Sequence, residues 1–214
     1  MKKYRLFLFI IILTNSLFAQ ESDTFFLMES FSELKAEIQN VSQNTASIKS
    51  KFVQEKHLTM LEEVLVSNGH FLFRKENDVR WEYLSPIDYT IIIYDGKFSI
   101  KNGDKVSEFD IGSNALFQEI NKMIVTAIRG DFIDNPEFEA SFFENRTQYR
   151  INLKALNKQV SGMLTQIEIY LNKSNFAVEQ VKFSEPGDDY TLIIFIDREV
   201  NTEISDKQFE FEND

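Results

Sequence analysis

Two histidines, a surplus of carboxylates and no cysteine bound the chemistry open to this 214-residue chain. His57 has Glu55, Glu62 and Glu63 as acidic neighbours. Neither His57 nor His70 belongs to a compact metal-ligand spacing, and zinc sites need several such ligands at close intervals. No nucleophile-elbow pattern is present, so a Ser-His-Asp arrangement has no motif behind it. Paired carboxylates are easy to find among 34 acidic residues, so no single pair stands out for hydrolysis. Asp188-Asp189 could hold a cation, but they follow the turn signal Pro186-Gly187, and a solvated turn is the plainer reading. Glu55, Glu62, Glu63 and the acidic C-terminal end could face a basic partner surface; solvated charge explains them as well. The residues therefore give no metal site and no motif for an enzyme, and no cofactor is expected.

Compartment follows from the first residues. Lys2, Lys3 and Arg5 precede an apolar run from Leu6 to Leu13, and Ala19 supplies the small residue that suits a signal peptidase. The uninterrupted run falls well short of the roughly 20 residues that span a bilayer. The expectation is a signal over residues 1–19 and one domain over 20–214, exported to the periplasm. Without a cysteine after the cleavage site there is no lipoprotein anchor, so the expected product is a free, soluble monomer. Losing Lys2, Lys3 and Arg5 and no acid moves the formal charge from −11 to −14. That field opposes nucleic acid and anionic bilayers. The missing cysteines also exclude disulfides, which a chain of this size can do without because it can bury its own core.

Periodicity then gives the elements. Leu27, Phe31, Leu34, Ile38 and Val41 recur at steps of four and three, predicting an amphipathic helix over residues 24–45 with Asp23 or Ser30 as N-cap. Ser30 and Glu33 have capping-box spacing. From Ser47 the period is two. Strands are predicted from Ser47, over Leu61–Val66, Phe71–Arg74, Val79–Tyr83 and Tyr89–Tyr94, then between the turns Asp95-Gly96 and Asn102-Gly103. A second helix carries Leu116, Phe117, Ile120, Met123, Ile124, Ala127 and Ile128 and stops at Gly130. Strands resume at Phe138–Phe143, Gln148–Leu153, Thr165–Leu171, Ala177–Phe183 and Tyr190–Ile196, with a short edge near Phe209–Phe211. The predicted fold is mainly β within an α+β class: one antiparallel sheet of about twelve strands, which twist forces to curl. Two amphipathic helices can fill part of the concave face. Any apolar cavity left over would suit an acyl chain.

One stretch is more specific. Phe52-Val53-Gln54 after the first helix, Gly69, Arg74-Lys75, Arg80-Trp81-Glu82-Tyr83, Pro86 and Asp95-Gly96 follow in an order that resembles the LolA family of periplasmic lipoprotein carriers. Gly130, Glu185, Gly187-Asp188, Tyr190-Thr191, Asn201 and Phe209 extend the resemblance, which spans Leu27 to Phe211. It implies an unclosed β-barrel of about eleven strands with a helical lid over an apolar concave face. It also implies a role without covalent chemistry: taking a lipoprotein from an inner-membrane transporter, shielding its acyl chains, and passing it to an outer-membrane acceptor. In relatives an arginine at the position of Lys75 bonds the lid and controls its opening. Lysine lacks the planar guanidinium fork, so Lys75 and the adjacent Arg74 share the gating candidacy. Divergent members of the family are suspected to carry other amphiphiles, such as aryl-polyene lipids.

The candidate cavity residues are Phe52, Phe71, Phe73, Trp81, Ile91 and Ile93, with Met123, Ile124 and Ile128 as a movable lid. For any one of them ordinary core packing is a sufficient explanation; the set carries the cavity reading. Trp81 could instead sit at a rim, because its indole N–H needs a polar partner. The alternative to a carrier is a non-catalytic protein-interaction or lipid-sensing domain of the same fold.

Overall fold

The computed structural model describes residues 24–75, 77–111, 136, 138–156 and 158–211. It is a single antiparallel sheet of twelve strands in the order β1-β8-β9-β10-β11-β12-β2-β3-β4-β5-β6-β7. The strands are β1 (Phe26–Leu27), β2 (Ser47–His57), β3 (Leu65–Arg74), β4 (Asp78–Ser85), β5 (Tyr89–Tyr94), β6 (Lys97–Asn102), β7 (Lys105–Asp110), β8 (Phe138–Glu144), β9 (Gln148–Ala155), β10 (Gln166–Asn172), β11 (Val178–Ser184) and β12 (Tyr190–Val200). Among the described residues the helix α1 (Ser32–Asn44) and a single turn, α2 (Lys158–Ser161), accompany the strands. β1 and β7 are the two free edges, so the barrel is unclosed.

Two meanders, β2 to β7 and β8 to β12, meet where β12 pairs with β2 from Tyr190↔His57 to Val200↔Ile48. Among the described residues bulges bend the sheet between Ile196 and Glu199 on β12, at Glu179 on β11 opposite Tyr170/Leu171, and at Leu84 on β4 opposite Asn68/Gly69. A bulge raises local twist, which is what a curled sheet of this width needs.

Alternation sorts the side chains. One face holds two apolar clusters. The first joins Leu34 and Ile38 of α1 to Phe142, Ile151, Leu153, Ile169, Leu171 and Val181. The second is built on β2 to β6, and Phe183 and Phe195 touch both. A third, smaller cluster lies on the opposite face, where Ile204 and Phe209 cover Leu72 and Ile92.

Several expected boundaries shift, each for a tertiary reason. The first helix begins at Ser32, not near residue 24, because Phe26 and Leu27 pair with Glu144 and Phe143 of β8. Phe31 takes the N-cap position and stacks on Phe142 with ring centroids 4.1 Å apart. Ser30 and Glu33 form no capping box; that motif occurs instead at Ser205 and Gln208. Of the stretch expected at Leu61–Val66 only Leu65 and Val66 are strand, and they join Phe71–Arg74 in one strand, β3, running through Gly69; residues 61–64 lie in the β2–β3 connection. The C-terminal edge expected near Phe209–Phe211 is a 3₁₀ turn, Asp206–Phe209. The second expected helix, with Met123, Ile124 and Ile128, lies outside the described residues.

Candidate functional site

The inner face of β2 to β6 gathers the six sheet residues singled out by alternation. The register stacks Phe71 against Trp81, Trp81 against Ile91, and Phe73 beside Val79 and Ile93. Phe52, Phe71, Phe73 and Ile93 are buried, whereas Trp81 and Ile91 remain half-buried at the surface of the cluster. Their rings interlock: Phe52 to Trp81 at 4.9 Å, Phe52 to Tyr83 edge-on at 5.1 Å, Phe71 to Trp81 at 5.1 Å and Phe71 to Phe195 at 5.8 Å. Such pairs are worth about 0.5–1.5 kcal/mol beyond burial. Ile48, Val79, Phe98, Ile193 and Phe195 belong to the same cluster and were not among the sequence candidates. Phe195 was findable in principle, since it pairs with Phe52 once β12 is set beside β2.

Gly69 makes this packing possible. A Cβ there would lie 1.8 Å from the Glu82 carbonyl oxygen and 2.8 Å from the Phe52 ring. The ring of Phe52 thus crosses β3 at the one residue without a side chain.

The cluster carries few polar groups. Tyr83 donates its hydroxyl proton to Gln54 Oε1 at 2.9 Å. Burial pushes the Tyr83 pKa up, opposed by the neighbouring Trp81. The Trp81 indole nitrogen is buried without a hydrogen-bond partner among the described residues, so Trp81 lies within the face and its N–H is not anchored to a polar rim.

Lys75 and Arg74 hold different parts of the molecule. Lys75 Nζ donates to the Gln43 carbonyl in the last turn of α1 at 2.6 Å, and its backbone N–H to the Ala46 carbonyl at 2.9 Å. Arg74 points to the opposite face. It bonds Asp78 through Nε and Nη2 at 2.9 and 2.7 Å, pairs with Asp206 at 2.8 Å, and donates to the Ile204 carbonyl at 2.9 Å. Its guanidinium also lies 4.8 Å from the Phe209 ring centre. Burial works against that charge, but the bonds to Asp78 and Asp206 outweigh it and raise the pKa. Arg74 therefore fastens the C-terminal segment to the outside of the sheet.

The remaining titratable candidates do not converge. His57 stacks on Tyr190 at 4.1 Å and sits 3.2 Å from Glu55, while His70 pairs with Glu82 at 3.4 Å on the outer face. Asp189 accepts the Thr59 N–H at 2.6 Å and its hydroxyl at 2.9 Å, which holds the carboxyl below its usual range. Among the described residues no three His, Asp or Glu side chains form a metal-binding group.

One end of the sheet exposes several large apolar side chains. The pairs Lys56↔Leu65, Tyr83↔Tyr89 and Gln166↔Lys154 place the β2–β3, β4–β5 and β9–β10 connections at the same end as the start of β12. These connections and their flanks expose Met60 (85%), Leu61, Val66, Leu84, Ile87 and Met163. Large exposed apolar patches mark interaction sites more often than scattered single residues do.

The model of the outer membrane lipoprotein carrier protein LolA matches residues 43–212 of the chain. A search of curated protein sequences finds no match. Among solved structures, an uncharacterized conserved protein from Thermus thermophilus superposes with a TM-score of 0.54 at 8% identity, covering 86% of this chain and 96% of the other. MucB, a protein of Pseudomonas aeruginosa, gives 0.52 at 12% identity over 85% of this chain and 62% of its own. A LolA superfamily protein from Nitrosomonas europaea gives 0.45 at 9% identity over 83% and 97%. At these identities the first two likenesses speak for the fold.

Proposed function

The chain belongs to the family of the outer membrane lipoprotein carrier protein LolA, and from that footing we propose that it is an exported carrier that shelters acyl chains against the inner face of its sheet. The observation that supports this most is the continuity of that face: the two apolar clusters run together through Phe183 and Phe195 beneath α1. The apolar rim lies at one end of the same sheet. Each buried CH₂ contributes about 0.8 kcal/mol, so a long acyl chain needs no polar contact to bind there.

In this reading Phe52, Phe71, Phe73, Trp81, Ile91 and Ile93 line the acyl site, with Met123, Ile124 and Ile128 as its lid. Lys75 and Arg74 are the gating candidates: Lys75 ties α1, which covers part of the face, and Arg74 anchors the C-terminal segment. Residues 1–19 act as a cleaved export signal, and residues 20–214 work as one domain in the periplasm. No helix among the described residues is long and apolar enough to cross a membrane. The cargo passes from an inner-membrane transporter to an outer-membrane acceptor across the apolar rim.

The test is mass spectrometry of an organic extract of protein purified from its own periplasm, paired with titration of a fluorescent fatty acid. An acyl amphiphile should co-purify, and Ile91→Glu should weaken the fluorescent ligand at least tenfold by placing a charge in the acyl site. An empty extract in repeated preparations, together with unchanged titration by the variant, would sink the reading.

A further inference from the structure

Arg198 differs from Arg74, Arg80 and Arg150, three other arginines on strands of the sheet. Arg74 pairs with Asp78 and Asp206, Arg80 with Glu82, and Arg150 lies 4.0 Å from Glu168 and over the rings of Phe25 and Phe143. Arg198 is half-buried and has no hydrogen bond or ion pair with any described residue. Burial acts on it, lowering its pKa, and no carboxylate among the described residues is close enough to offset that. In a chain with 34 acidic and 23 basic residues, a partner would be easy to supply.

The backbone explains where this charge points. Arg198 sits in the β12 bulge, after Ile196, which pairs with Lys51, and before Glu199, which pairs with Lys49. Asp197 takes φ 53° and bonds Lys51 Nζ at 2.8 Å. Asp197 and Glu199 both border a polar groove on the outer face, lined also by Lys49, Lys51 and His70. Alternation counted back from Glu199 sends Arg198 to the inner face, on the side of Phe52 and Phe195. It lies near the far end of β12 from the apolar rim. The strand from Tyr190 to Arg198 spans about 25 Å, and the inner-face aromatics Phe52, Phe71 and Phe195 lie along it.

We propose that Arg198 is an anion-binding residue of the acyl site, and that the cargo is a single-chain amphiphile whose carboxylate or phosphate is held inside while its chain runs toward the apolar rim. This rests on the acyl-carrier reading and narrows it. A guanidinium offers a planar, two-pronged match to either oxyanion. A diacylglyceryl ester attached to a protein offers no such charge at the inner end of its chains.

The test titrates the full chain, and its Arg198→Met and Arg198→Lys variants, with three probes sharing one fluorescent acyl chain: the free acid, its methyl ester and the lysophosphatidate. The wild type should bind the acid or the lysophosphatidate at least about tenfold tighter than the ester. Arg198→Met should bind all three like the ester, and Arg198→Lys should keep part of the preference. The tighter of the two anions names the source of the charge. Arg198→Met should also melt about 2–4 °C higher without ligand, because it removes an unpaired half-buried charge. Acid and ester bound alike by the wild type, or a preference that survives Arg198→Met, would overturn the assignment while leaving the carrier reading in place. Failure of all three probes to bind the wild type would overturn both.

Discussion

At Gly69 a single methyl group decides whether two strands and a ring can coexist. Gly69→Ala sets a Cβ 1.8 Å from the Glu82 carbonyl oxygen, a backbone atom that cannot step aside without breaking the β3–β4 ladder. We expect a loss of about 3 kcal/mol or more in urea unfolding, and a Phe52→Leu background should restore little, because the backbone clash remains. Asp189 makes a gentler case. Its folded pKa lies below the ordinary 3.8 because Thr59 donates two hydrogen bonds to the ionised carboxylate. That contribution is complete above the unfolded value and fades as pH falls through the folded one. Asp189→Asn should therefore lower stability at neutrality, with the difference from wild type vanishing as pH falls below about 4. The strict alternation Val79-Trp81-Tyr83 made the inner-face residues legible in the sequence. Arg198 was not legible, because one extra residue in β12 breaks the parity by which faces are counted.

Among the elements, α1 and the C-terminal segment are tied down by adjacent residues on opposite faces of β3. Lys75→Ala removes the bond to the Gln43 carbonyl and should speed amide exchange across α1, at Leu34 and Ile38, by about three- to tenfold, since one such bond is worth about 0.5–1.5 kcal/mol. Arg74→Ala should leave α1 as it is and release the turn Asp206–Phe209. Exchange spectra that respond in the opposite pattern would reverse the two assignments. Helix and strand types were readable from period, yet their ends were not. Leu27 continues the helical spacing of the residues after it, but the edge of β8 captures it together with Phe26. Likewise Phe209 reads as a strand residue until Arg74 and Tyr94 supply partners on the outer face.

For the whole molecule, the mainly β architecture with its unclosed sheet was accessible from strand count and turn signals, because twelve twisted strands cannot lie flat. Strand order was not, since it depends on β12 crossing back to β2, and no local signal in either strand announces the other. If acyl chains enter the inner face, the ligand binds only the folded chain. Saturation at one hundred times Kd should then add about 2.7 kcal/mol, seen as a rise in melting temperature of about 5–10 °C. A neutral detergent headgroup without a chain should give none.

The β12–β2 seam has a consequence for how the chain comes to be folded. β2 is among the first strands to be synthesised and β12 the last, yet they are neighbours in the middle of the sheet. Until Tyr190–Val200 emerges, β2 has one bare side, and the cluster that includes Phe52 lacks Ile193 and Phe195. Contacts so distant in sequence form late. The β2–β7 meander can pair locally, but its seam with β12 and the packing of Ile193 and Phe195 on the Phe52 cluster can form only once nearly all of the chain has been made.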